Sequence, residues 1–292
     1  MTMVGTASNA PRMRQVRIIL TILLGIFLVY SLLPLYYVMV SSTKADGTLF
    51  SSFGLWFSGR FALWDNLVLT FTYGNGIFGR WLWNTLWYSV LSAVGSALFA
   101  TAAGYAFAKY QFVGRRAFFA VILGSIMIPG TALVIPTFLL LSNMGLVNTP
   151  WAVILPSLTT PLGVFLMRVY ADSAVPDELI DAARIEGAGE FTILTRIAFR
   201  LMVPAFITVL LLSFVGAWNN YFLPLVMLSN DQLYPVTVGL STWYSAASGG
   251  SGAQALFSMV LTGAFVTILP IAVAFVLLQR FWQADLGAGG VK

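Results

Sequence analysis

From Ala117 to Met167 the chain runs for 51 residues without a charged side chain, and from Ile18 to Thr43 it does so for 26. About 20 helical residues cross the ~30 Å hydrocarbon layer of a bilayer. The first run is therefore long enough for two spans and the second for one. Both runs are continuously apolar, without the alternation of a membrane β-barrel. Composition agrees: 9% of the 292 residues are charged and 59% are hydrophobic, whereas a soluble domain carries about 25% charged residues. These features specify an all-α, polytopic membrane protein.

Turn residues divide the apolar sequence into six predicted transmembrane helices. The basic flank ending at Arg17 could open a signal peptide, but the run behind it is too long for a signal core and reads as an uncleaved first span. The predicted organisation is a tail over 1–16, a first span over 17–42, an outer loop over 43–80, a core over 81–281 and a tail over 282–292. Within the core, spans are expected at 81–108, 118–141, 151–170, 201–228 and 254–280, with an inner charged segment at 172–200 and an outer loop at 229–252. The break between the third and fourth spans falls at Ser142 to Gly145 and Asn148 to Pro150. Ala93, Gly95, Ala97, Ala100 and Gly104 make the second span a close-packing helix. Pro129, Pro136, Pro156 and Pro161 supply kinks that neighbouring helices can accommodate. Trp56, Trp64, Trp81 and Trp83 suit an interfacial aromatic belt.

Lys and Arg set the orientation. Twelve of the 15 fall on the side of the termini and of segment 172–200; only Lys44, Arg60 and Arg80 fall on the other. The positive-inside rule then places both termini in the cytoplasm, and the +5 net charge needs no nucleic-acid partner. The chain has no Cys and no His, which excludes thiolate or imidazole metal sites, Cys nucleophiles and His acid–base chemistry. No ionisable residue sits well inside a span, where ion-coupled transporters usually need one. Neither an enzyme nor a self-sufficient secondary transporter fits, so energy should arrive from another subunit.

Six of the ten acidic residues fall between Asp172 and Glu190, interleaved with Arg184, Arg196 and Arg200. Pro176, Asp177 and Glu178 suit a helix start, and Gly187 and Gly189 a bend. A second short helix opens at Glu190, with Phe191, Leu194 and Ile197 on one face. Small Ala residues on the first helix suit entry into a tight groove on a partner; the alternative is an amphipathic linker resting on lipid headgroups.

Asp181, Ala182, Ala183 and Gly187, followed by the apolar run to Pro204, resemble the EAA loop of ABC importer inner-membrane permeases. The surroundings resemble the MalG-like carbohydrate permeases. The matching blocks are Tyr105 to Lys109, Met127 to Gly130, Gly145 to Thr149, Ile154 to Pro156, Trp218-Asn219, Pro235 to Leu240, Leu278 to Arg280 and the Gly289 to Lys292 tail. They run in order from about residue 80 to the end. The resemblance implies a permease for sugar import in the prokaryotic cell inner membrane. It would carry a sugar or oligosaccharide from an extracytoplasmic solute-binding protein by alternating access. Asp181, Ala182, Ala183, Glu186 and Gly187 would dock on an ATP-binding subunit present in two copies. ATP and Mg would bind there, with no cofactor in this chain. A second, MalF-like permease and membrane lipid complete the expected partners. Phe199-Arg200 stands where the family often has Leu-Pro, so the second coupling helix should end less sharply, with Pro204 as the break.

Trp218, Asn219, Asn220 and Tyr221 form the most polar patch within a predicted span. Amides can bond sugar hydroxyls and rings can stack on pyranoside faces, although Asn side chains also serve interhelical packing. Tyr234, Trp243 and Tyr244 lie in the stretch resembling the family's contact with the binding protein, and suit an interfacial belt equally. Glycerol-3-phosphate and polyol importers share this scaffold; a phosphate would favour Arg or Lys in the pathway, and the spans have none.

Overall fold

The computed structural model describes residues 10–249 and 253–288, with side chains for 16–45, 47–249 and 255–277. The Gly289 to Lys292 motif, the side chains of Leu278, Gln279 and Arg280, and residues 1–9 of the amino-terminal tail lie outside the described residues. No strand occurs among those described. The helices are α1 (Ala10–Ser42), α2 (Leu63–Lys109), α3 (Arg115–Ile126), α4 (Val134–Asn143), α5 (Trp151–Ser157), α6 (Pro161–Ala174), α7 (Asp177–Ile185), α8 (Glu190–Thr192), α9 (Phe199–Trp218), α10 (Phe222–Met227), α11 (Val236–Ser248) and α12 (Ala253–Ala288). Among the described residues, five helical segments are long and apolar enough to cross a membrane, or six if the bent α3–α4 pair counts as one span.

The chain divides into two units. The first comprises the chain to Thr70 and Ala246–Phe265. Here α1 exposes apolar side chains such as Leu24, Phe27 and Val29, as a lipid-facing helix does. The chain then folds back: Asn66 donates its amide to the carbonyls of Ser42 and Lys44 at 2.9 and 2.8 Å. The Lys44 ammonium is buried and donates to the Phe53 carbonyl at 2.8 Å.

The second unit comprises Phe71–Ser245 and the chain from Val266. Gly104 of α2 has no room for a side chain: a Cβ there would stand 2.5 Å from the Met167 Cβ and 2.7 Å from the Arg168 backbone nitrogen. Glycine thus sets how closely α2 and α6 approach. Tyr105, Ala108, Met167, Ala171, Ile180, Ile193, Ala198, Met202 and Val209 form one buried cluster around that contact.

Three expectations need correction. The outer stretch to Arg80 is partly helical: α2 begins at Leu63 and is interrupted at Tyr73–Gly76, where Gly74, Asn75 and Gly76 all have positive φ, a backbone that Gly and Asn tolerate. The third span, expected to kink at its prolines, is bent by 103° across Met127–Pro129. The fifth stops at Trp218 and resumes at Phe222, so the Asn219-Asn220 pair lies in a break. The stretch 229–252 holds helix α11. It is anchored by a stripe on α2: Trp81 Nε1 and Asn84 Nδ2 donate to the Asp231 and Gln232 carbonyls, the Tyr88 hydroxyl donates to Leu233, and Thr85 Oγ1 accepts from the Val236 N–H. Trp81 is accordingly buried, whereas Trp56, Trp64 and Trp83 are exposed.

Candidate functional site: the α7–α8 knuckle and the Asn220 cavity

The charged segment folds as two short helices about a glycine bend. Asp177 and Glu178 occupy the first turn of α7, where the helix dipole favours acids. The helix ends in a Schellman arrangement: the Gly187 N–H bonds the Arg184 carbonyl and the Ala188 N–H reaches back to Ala183, at 3.0 and 2.9 Å. Gly187 has φ +82°, the left-handed conformation this motif requires at its terminal position.

Polar bonds brace the knuckle from within and tie it to the end of α2. Arg184 grips Glu190 across the bend through Nε and a terminal nitrogen, at 2.8 and 3.3 Å, and also reaches Asp181 at 3.2 Å. Tyr110, just beyond α2, donates its hydroxyl to Glu190 at 2.7 Å, and Lys109 pairs with Asp177 at 2.7 Å. Burial and the Glu190 acceptor push the Tyr110 phenol above its usual range, so it remains a donor at neutral pH. The Glu190 hydrogen bond, followed by Asp181, raises the Arg184 guanidinium further still.

The predicted coupling residues divide between two faces. Asp181, Ala182, Glu186 and Gly187 are exposed, whereas Ala183 is buried with Ile180 in the chain's own core. Burying Ile180 contributes about 1.5–3 kcal/mol to seating α7. Leu194 and Ile197 flank the core, but the fully buried residues are Ile193 and Ala198; Phe191 points outward. Two side chains passed over as site residues thereby emerge. Ile185 and Phe191 bracket Gly187, 88% and 78% exposed, so the knuckle presents two apolar prongs on a charged surface. The available signal was their position on either side of the glycine bend.

α8 continues through a π-helical segment, Ile193–Ala198, into α9, without a break at Arg200 or at Pro204. The predicted break at Pro204 is therefore absent.

At the far end of α9 the polar patch separates into different roles. Asn220 lines a cavity of about 290 Å³ with Ser157, Thr159, Thr160, Ser213 and Gly216, and borders a second of about 960 Å³. Trp218 is buried against Phe214. Asn219 bonds back to the Val215 carbonyl at 2.9 Å, and the Tyr221 and Ser241 hydroxyls lie 3.0 Å apart. The hydroxyls at Ser157, Thr159 and Thr160 went unnoticed in the sequence, where a polar cluster between Pro156 and Pro161 was their signal. Thr160 is partly committed, capping α6 by accepting from the Gly163 N–H. Among the described residues, no Lys or Arg lines either cavity. Of the outer aromatics, Trp243 is buried against Phe78 and Trp81, Tyr234 is half-buried and Tyr244 is exposed.

Residues 100–283 match the family described as "Binding-protein-dependent transport system inner membrane component". The arabinooligosaccharides transport system permease protein AraQ of Halalkalibacterium halodurans is 38% identical over 78% of this chain and 79% of its own length. Its Bacillus subtilis counterpart is 30% identical over 97% and 99%. The sn-glycerol-3-phosphate transport system permease protein UgpE of Yersinia pestis is 26% identical over 91% and 93%. A crystal structure of a bacterial ABC transporter involved in the import of the acidic polysaccharide alginate matches with a TM-score of 0.79 and 24% identity, over 95% of this chain and 99% of that one. That likeness establishes a shared fold.

Proposed function

The chain belongs to the family of binding-protein-dependent transport system inner membrane components and is a multi-pass ABC importer permease, and from that premise we propose that it carries a neutral sugar or oligosaccharide. The observation that favours this cargo is the Asn220 cavity. Its polar lining consists of an amide and hydroxyls, groups that exchange hydrogen bonds with sugar hydroxyls, and among the described residues it has no Lys or Arg to pair with a phosphate. The names of the AraQ relatives point the same way; glycerol-3-phosphate, named for UgpE, is the less favoured cargo.

In this reading the α7–α8 knuckle docks on a separate ATP-binding subunit, present in two copies and carrying ATP and Mg. Asp181, Ala182, Glu186 and Gly187 face that subunit together with Ile185 and Phe191. Ala183 instead seats α7 on the permease. A second, MalF-like permease completes the pathway, and a solute-binding protein delivers cargo on the outer face near Tyr244, with both termini cytoplasmic. The helix from Glu190 to Trp218 is 29 residues, or about 44 Å long. One continuous lever thus joins the knuckle to the break beside Asn220. ATP-driven displacement of the knuckle would tilt that lever and open or close the cavity.

The chain is free of cysteine, so one introduced thiol reports one position. The test is Glu186→Cys in the reconstituted transporter, cross-linked to an ATPase subunit carrying a single thiol, with uptake of a labelled sugar measured in parallel. Cross-linking that stops uptake is expected. Uptake that persists without any ATPase subunit would refute the reading.

A further inference from the structure

We propose that the basic cavity between the start of α3 and the middle of α6 is a binding site for an anionic phospholipid of the cytoplasmic leaflet. The cavity measures about 860 Å³ and is lined by Arg115, Arg116 and Arg168 together with Phe119, Ala120 and Leu123. Two of the arginines are held in place. Arg115 donates to the Ala108 carbonyl at 3.2 Å, and the Arg168 guanidinium carbon lies 3.8 Å over the Phe119 ring. Among the described residues, none of the three forms an ion pair with a carboxylate. Asp172, one turn beyond Arg168 on α6, is within helical reach, yet Arg168 turns to Phe119 instead. Asp177 is already engaged by Lys109. Three positive charges therefore line one cavity, none of them salt-bridged to a carboxylate among the described residues.

The rest of the lining selects a lipid among phosphate-bearing ligands. From Arg115 to Leu123 the cavity follows α3 over nine residues, a rise of about 12 Å, passing from guanidinium groups to phenyl and aliphatic side chains. A free phosphate or nucleotide would satisfy the basic mouth and leave the apolar end empty. A phosphodiester headgroup with its first acyl carbons matches both ends, as basic pockets between spans on the cytoplasmic side do. An acidic face of the ATPase subunit could meet Arg116 but could not follow α3 into the hydrocarbon. This inference rests on the membrane orientation read from the basic residues and is independent of the cargo.

The experiment reconstitutes the intact transporter into phosphatidylcholine vesicles doped with phosphatidylglycerol. It then identifies the lipids retained by the detergent-released complex by native mass spectrometry. Wild-type complex should retain phosphatidylglycerol over phosphatidylcholine. R116Q, at an exposed position where folding is not at issue, should weaken that preference about fivefold, with a comparable further loss in R116Q/R168Q, the size of one basic residue's attraction to an anionic membrane surface. Excess inorganic phosphate should leave the lipid bound. Equal retention of the two lipids, or an unchanged preference in R116Q, would overturn the proposal. Displacement of the lipid by inorganic phosphate would reassign the site to a soluble anion. Loss of the ATPase subunit with lipid retention intact would reassign it to a protein partner.

Discussion

Gly187 separates a structural from a docking role for the knuckle. Its φ of +82° costs an L-residue roughly 1–2 kcal/mol, less for Asn, which tolerates this conformation. A Cβ built on Gly187 meets nothing within 4 Å, so within this chain a substitution carries a backbone cost and no steric one. Against a typical stability of about 5–15 kcal/mol, Gly187→Ala should leave the permease folded, with a slightly lowered melting temperature. Gly187→Asn should lower it less. If the space around Gly187 is filled by an ATPase groove, the order reverses in the complex. Asn is larger than Ala and should impair docking more, raising the ATP hydrolysed per sugar transported or lowering the yield of co-purified ATPase. The assay pairs thermal denaturation of the isolated permease with co-purification and coupled uptake for both variants. Normal complex yield and normal coupling in Gly187→Asn would refute the docking argument.

The other expectations follow from the same geometry. Asn220→Ala should raise the KM for a transported sugar by about 2- to 10-fold, the worth of one neutral hydrogen bond, whereas Asn219→Ala, whose amide is turned back to Val215, should leave it unchanged; uptake kinetics decide. Lys109→Met removes the tie from α2 to Asp177 but strands no buried carboxylate, because Asp177 is exposed. Its stability cost should stay near 1 kcal/mol, while ATPase activity without cargo rises. Trp243→Ala should destabilise the fold by about 3–5 kcal/mol, as for other buried aromatics. Tyr244→Ala, at an exposed position, should lower the melting temperature far less than Trp243→Ala and weaken binding-protein-stimulated ATPase activity.

The fold class was legible because hydrocarbon imposes length: charge-free runs near 20 residues admit little besides a span. The knuckle was legible because its charges and glycines contrast with everything around them. The destinations of Trp81, Trp218 and Trp243 were not. A helix apolar all round has no distinguished inner face in its sequence, so an interfacial tryptophan and a core tryptophan look alike. Trp81 is fixed by its N–H bond to the Asp231 carbonyl, 150 residues away, which no local pattern can announce. The break at Asn219–Tyr221 was hidden for a related reason. Apolar sequence resumes at Phe222, so three polar residues read as a patch inside one long helix when they end one helix and precede another.

The junction of α8 with α9 shows how a register error arises. Its fully buried residues are Ile193, Ala198, Met202, Ala205 and Val209, at steps of five, four, three and four, except that Ala205 retains slight exposure. Steps of three and four keep an α-helix on one face. A step of five turns about 500°, leaving the side chain roughly 140° from its starting face. Strict α periodicity therefore selects Phe191, Leu194 and Ile197 and sends Phe191 inward, contrary to its exposure. The π-helical segment Ile193–Ala198 resolves the mismatch, because its wider turn brings residue i+5 back over residue i. The extra residue keeps α9 packed on α6 while rotating Phe191 outward, exposed as Ile185 is. The same local irregularity that defeats the periodicity thus creates the apolar prong on the knuckle.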